Sequence, residues 1–253
     1  MENKLATPAR RLHFKNPPIV EAVIAFQVAA LPESVIDDFQ AGADTLVSAG
    51  YKQPEPLTKH EVQIQFQGAD SSFGGKGTPH GLKFTSEDGQ HVVQFNREGF
   101  VFSRIGHYDS WDPFRDECRK LWEIYSALIG TDDIYGYGVR YINKLYIPLG
   151  GNAEEYISVF PHLPEGIPSE MSECFMRLAL PIAVPRGRLI HQQILLPPDR
   201  AGFSSLLLDN DFQFPALGLK PLEVWDQLEQ VRYVKDDYFE KFVTPKMQAT
   251  FNV

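Results

Sequence analysis

The chain carries one order of hydrophobic patterns twice, and a repeat of that size leaves few folds open. The first copy begins with IVEAVIAFQVAA (19–30), whose alternation puts Val20, Ala22, Ile24, Phe26 and Val28 on one face and predicts a strand. In LPESVIDDFQAGADTLVSAGY, the residues Val35, Ile36, Phe39, Ala43, Leu46 and Val47 recur at helical spacing, with Gly50 placed to end a helix. Strands return over 60–67, 81–87, 90–97 and 99–106, with turns at Glu87-Asp88-Gly89 and Glu98-Gly99. A long helix closes this copy, carrying Trp111, Phe114, Cys118, Leu121, Trp122, Tyr125 and Leu128 on one stripe. Asp109 or Ser110 is its N-cap and Gly130 its stop.

The second copy is looser. YGYGVRYINKLYIPL predicts a strand and NAEEYISVFPHLP a short helix, after which SECFMRLALPIAV, RGRLIHQQILLP and FSSLLLDNDFQF read as three strands. A final helix places Leu222, Trp225, Leu228, Val231, Tyr238, Phe239 and Phe242 near one face. The expected class is therefore α+β: a duplicated strand, helix, three or four strands, helix unit, forming a curved antiparallel sheet with helices on one side. The expected organisation is a flexible arm over 1–15, a first half over 16–133 and a second over 134–253. This order of elements resembles the TATA-binding-protein fold, whose halves join through their first strands, an analogy of shape that carries no function.

Composition narrows the class further. With 43% hydrophobic and 23% charged residues, a chain of 253 residues can bury a core without staples. Cys118 and Cys174 form no metal or disulfide framework, so a reducing cytoplasm is expected, and no run approaches the roughly 18 apolar residues of a membrane span. The net charge is −9, and acidic residues outnumber basic ones on both sides of Asp133. That balance argues against nucleic acid, whose binders draw affinity from neutralising phosphates.

Four stretches, PPIVEAVIAFQV, GHYDSWDPFRDECRKLWEIY, YGVRYINKLYIP and YVKDDYFEKFVT, together resemble a prokaryotic family described only as sporadically distributed proteins of unknown function. The resemblance runs from Asn16 to about Thr244 and implies no activity. Patchy distribution points to accessory loci, such as defence or toxin-linked cassettes.

Candidate chemistry is sparse. SSFGGKGTPHG (71–81) suggests a phosphate-binding loop, but Asp70 stands where the motif begins with glycine, Gly77 where its hydroxyl belongs, and Pro79 leads into a strand. A flexible strand connection is the better reading. The histidines at 13, 60, 80, 91, 107, 162 and 191 show no metal-site spacing, so neither metal nor cofactor is implied. Glu21 and Arg140 each interrupt an apolar strand with a charge that is costly to bury alone, and central pairing of the two strands would bring them together. We therefore expect a Glu21–Arg140 ion pair with Asn143 and Lys144 close by. Tyr141, with Tyr135, Tyr137 and Tyr146, supplies aromatic surface that packs a core or stacks a ligand.

These residues favour a non-enzymatic interaction module that holds a protein partner. The alternative is a small-molecule sensor or enzyme whose ligand sits at the junction of the halves, near Glu21, Arg140 and Asn143. A nucleic-acid binder using a basic stripe of Arg104, Arg140, Lys144, Arg186 and Arg188 is the reading the charge disfavours. An exposed outer strand also offers a homodimer contact.

Overall fold

Alternation in the first apolar run sends Ala22, Ile24 and Phe26 into the core, each at most 1% exposed. The computed structural model describes residues 14–67, 70–161, 164, 166 and 171–252, with the side chains of 60–76 outside that description. Its strands are β1 (Ile19–Gln27), β2 (Glu55–Gln67), β3 (Asp70–Thr85), β4 (His91–Asn96), β5 (Gly99–Ile105), β6 (Gly136–Pro148), β7 (Phe175–Ile182), β8 (Gly187–Leu196) and β9 (Phe203–Pro215). Its helices are α1 (Val35–Ala41), α2 (Ala43–Ser48), α3 (Trp111–Ile129), α4 (Pro221–Phe242) and α5 (Pro245–Thr250). The class is α+β, with one antiparallel sheet of nine strands among the described residues in the order β2-β3-β4-β5-β1-β6-β9-β8-β7.

The centre of that order is β1, paired with β5 on one side and β6 on the other. Its inward face meets both long helices. Phe26 makes edge contacts with Trp122 of α3 at 4.9 Å and Trp225 of α4 at 5.2 Å, and stacks on Phe100 at 6.0 Å. Further out, Phe102 stacks on Phe114 of α3, and Phe212 packs edge-on against Tyr238 of α4. Helix α3 starts after Ser110 and stops at Gly130, whose φ of 71° is the left-handed conformation that closes a helix without a Cβ penalty. At the start of α4, Pro221 removes a surplus N–H while Glu223 accepts from the Lys220 backbone N–H at 2.6 Å.

Several expectations change. The helix anticipated over 35–50 is two helices broken at Gly42, where an added Cβ would lie 2.7 Å from Leu128 of α3, so close packing of α3 claims that position. The segment anticipated as a strand connection lies inside β3, with Gly75 opposite Val62 and Phe73 opposite Ile64 of β2. NAEEYISVF yields only a 3₁₀ turn at Ala153–Glu155. Leu222 is 68% exposed, because it sits in the first turn of α4, ahead of the stretch that lies on the sheet. Of the anticipated arm, residues 1–13 are outside the described residues, but its end is docked: Phe14 packs edge-on to Phe251 at 5.1 Å, and the Asn16 N–H donates to the Phe251 carbonyl at 2.9 Å.

Because Phe26 joins β1 to both long helices, Phe26→Ala is expected to cost about 3–5 kcal/mol in equilibrium urea unfolding. Leu222→Ala should stay within about 0.5 kcal/mol. A Leu222 effect as large as that of Phe26 would mean that α4 packs through its first turn.

Candidate functional site

The period of a strand decides which of the anticipated residues share a side. Along β6, Tyr137, Val139, Tyr141, Asn143 and Leu145 are buried, while Arg140, Ile142 and Lys144 take the other face. Pairing with β9 sets Asn210 opposite Tyr141 and Leu208 opposite Asn143. On α4, Arg232, Lys235, Asp236 and Phe239 follow one another at helical spacing and cover the same region. The beginning of α3 and the approach to β1 complete the walls of a cavity of about 440 Å³, with Pro17, Pro18, Tyr108 and Trp111 among its lining.

Phe14, Tyr108, Trp111, Tyr141, Phe212 and Phe239 give the walls aromatic surface among polar side chains, and the two cations there are already matched. The Arg232 guanidinium donates to Asp112 at 3.2 Å, and the Lys235 ammonium donates to Asp236 at 2.5 Å while lying 4.4 Å from the centre of the Tyr141 ring. Tyr108 and Tyr141 share a hydrogen bond at 3.1 Å, and burial pushes both phenols up, so both stay protonated. Trp111 is pinned by its indole N–H to Glu229 at 2.8 Å, and Glu229 also accepts from Arg115 at 2.5 Å, which fixes the start of α3 against α4.

Behind the cavity lies a buried polar chain. His191 Nδ1 is 2.7 Å from Asn210 Oδ1, and His191 Nε2 is 3.0 Å from Gln193 Nε2, which also donates to the Val159 carbonyl at 2.7 Å. His191 and Gln193 are fully buried and Asn210 is 2% exposed. His191 stacks on Phe242 with ring centres 3.9 Å apart, and burial holds its pKa below the usual histidine value.

Of the residues singled out in the sequence, Tyr141 and Asn143 reach the cavity, whereas Glu21, Arg140 and Lys144 do not line it. The anticipated Glu21–Arg140 ion pair is replaced. Arg140 forks onto Asp209, Nε at 2.8 Å and Nη2 at 2.6 Å, and Gln192 adds a third donor to that carboxylate at 3.1 Å. Register puts a carboxylate on each diagonal, because Arg140 faces Val23 on β1 and Asp211 on β9 while Asp209 stands opposite Ile142, and the guanidinium takes the β9 diagonal. Glu21, also opposite Ile142, contributes only the smallest of the attractions that raise the Arg140 pKa, the Asp209 hydrogen bonds being the largest. Lys144 bonds Asp199, which also accepts from Ser205 at 2.5 Å. Among the described residues, no three His, Cys, Asp or Glu side chains converge as metal ligands, and no helix is long and apolar enough to cross a membrane.

Sequence reading missed His191, Gln193, Asn210, Arg232 and Lys235. A signal for the first three was present, since each shares the strand parity of buried apolar residues, Leu189 on β8 and Leu208 and Phe212 on β9. The two cations carried none, because Arg232 finds Asp112 only where α4 meets α3, and Lys235 beside Asp236 reads as an ordinary charged pair on one helix.

Asp209→Asn removes the carboxylate that Arg140 grips and is expected to cost about 1–2 kcal/mol, with the 42% exposure of Arg140 holding the loss low. Glu21→Gln should cost less than about 0.5 kcal/mol, and the reverse ranking in urea unfolding would restore the Glu21 pair. The buried His191 also makes stability depend on pH. Its folded pKa is depressed, so the unfolded chain takes up the proton first, and stability falls as pH drops below the unfolded value of 6.5 toward the folded one. Unfolding titrations of His191→Gln should show a shallower loss over that range. Comparison with known proteins gives no family: no protein-family model matches this chain, and no curated protein matches it.

Proposed function

We propose that the chain is a ligand-binding module, in which a small organic molecule sits in the cavity between the β1 approach, β6, β9 and the two long helices. The observation that carries this reading is the cavity, whose volume of about 440 Å³ falls in the range of small-molecule sites. Its chemistry supports it as well. Aromatic walls supply apolar contact, while Asn143 and Asn210, buried at 3% and 2% exposure, supply oriented polar groups that are costly to bury for packing alone. The ligand would touch residues from both long helices, so its occupancy would tie α3 to α4, which suits a sensor.

The finer architecture belongs to the same proposal. The strand order is 2-3-4-5-1 before the sheet centre and 6-9-8-7 after it, and a long helix follows the last strand in each part. That order supports a duplicated unit, with halves 16–133 and 134–253 joined through their first strands in a saddle like that of the TATA-binding protein. We also propose membership of the sporadically distributed prokaryotic family that the chain resembles from Asn16 to about Thr244. A protein-partner reading rests on a separate observation, the partly exposed Arg140 held rigidly by Asp209 on the face opposite Tyr141.

Native mass spectrometry of the protein isolated gently from its host is expected to show a retained small mass. Ile19→Trp, which places an indole where Ile19 lines the cavity, should abolish it. A retained mass of the same size in the variant would put the ligand elsewhere, and a defined second polypeptide with no small mass would favour the partner reading.

A further inference from the structure

The hydrogen bonds behind the cavity fix which atoms face into it. Gln193 comes first. One of its carboxamide atoms lies 2.7 Å from the Val159 carbonyl, an acceptor, so that atom is the nitrogen. The same nitrogen lies 3.0 Å from His191 Nε2, which must then accept, and the single ring proton resides on Nδ1. Nδ1–H donates to the atom of Asn210 at 2.7 Å, which is therefore the amide oxygen. The Nδ2 donors of Asn210 are left for the cavity that this residue lines. The cost of this order is visible, because Gln193 Oε1 is buried without a hydrogen-bond partner among the described residues.

Asn143 is fixed in the opposite sense. Its Nδ2 donates to the Leu208 carbonyl at 3.4 Å, so Oδ1 is the atom left to accept in the cavity. Asn143 and Asn210 lie on the same face of adjacent strands, one step apart diagonally. The cavity thus presents an acceptor from Asn143 and a donor from Asn210 across one strand diagonal, with Trp111 and Phe212 among its aromatic lining. Its cations are committed to Asp112 and Asp236, so the site offers no unpaired positive charge for a phosphate among the described residues.

We infer that the cavity takes an uncharged planar heterocycle whose edge carries an N–H donor next to a carbonyl or ring-nitrogen acceptor, the hydrogen-bonding pattern of a nucleobase. The N–H meets Asn143 Oδ1, the acceptor meets Asn210 Nδ2, and the ring stacks in the aromatic wall. This rests on the cavity being a ligand site, as proposed above.

Trp111 lines the cavity, so its fluorescence reports binding. The probes are uracil, hypoxanthine and adenine, set against 1,3-dimethyluracil, whose N–H donors are blocked, and indole, which has a donor and no acceptor. At least one of the first three is expected to bind saturably and at least tenfold more tightly than both controls, and its phosphorylated nucleoside is expected to bind no more tightly. Asn210→Asp keeps the oxygen that His191 needs but loses the cavity donor, and should weaken binding at least tenfold. If that variant fails to fold by circular dichroism, Asn143→Leu and the methylated probe carry the same test. Equal binding of the heterocycles and both controls overturns the edge recognition and leaves the cavity reading standing. Absence of binding by every probe, indole included, together with no retained mass in the native spectrum, overturns both.

Discussion

The antiparallel pairing of β1 with β6 is the contact on which the rest of the structure depends. Each strand is satisfied on both edges, β1 by β5 and β6, and β6 by β1 and β9, so the two parts of the chain share one continuous hydrogen-bonded sheet. A one-residue slip at this seam would turn one of the two strands over, taking either Phe26 or Tyr141 away from the helices and bringing Glu21 or Arg140 inward. Burying those charges without partners costs several kcal/mol each, far more than one ladder bond, so register is set by side chains rather than by backbone pairing.

Helix α4 shows how one amphipathic element serves both core and site. Val224, Trp225, Leu228 and Val231 are buried, and Trp225 reaches Phe26 in the central strand. The adjoining residues Arg232, Lys235, Asp236 and Phe239 turn toward the cavity instead. The change of chemistry along one helix follows from where α3 begins. Beside the body of α3 the space is filled by aromatic packing, and at its first turn Trp111 and Asp112 leave room for polar side chains with partners of their own.

The same economy governs the buried polar residues. Asp209 is tolerated at 4% exposure because Arg140 and Gln192 together give it three hydrogen bonds. Asp211, two residues on, accepts from Gln213, and burial raises its pKa. On the opposite face, the Asn210 amide oxygen is satisfied by His191, whose proton position is dictated from Val159 through Gln193. Three consecutive polar residues on β9 thus find three different solutions.

The sequence by itself determined the local elements. Alternation marked the strands around Phe26, Phe102, Tyr141 and Phe212, spacing marked α3 and α4, and Gly130 marked a stop, because these signals arise from backbone periodicity and sterics within a few residues. It also singled out Tyr141 and Asn143, which line the cavity. Tertiary structure alone decided the partners. Asp209 lies 69 residues from Arg140, and Asp112 lies 120 from Arg232, so which charge meets which depends on strand order and on the diagonal each side chain takes. The break at Gly42 was equally hidden, since its cause is Leu128 on another helix. Periodicity says which way a side chain points, and only packing says what is there to meet it.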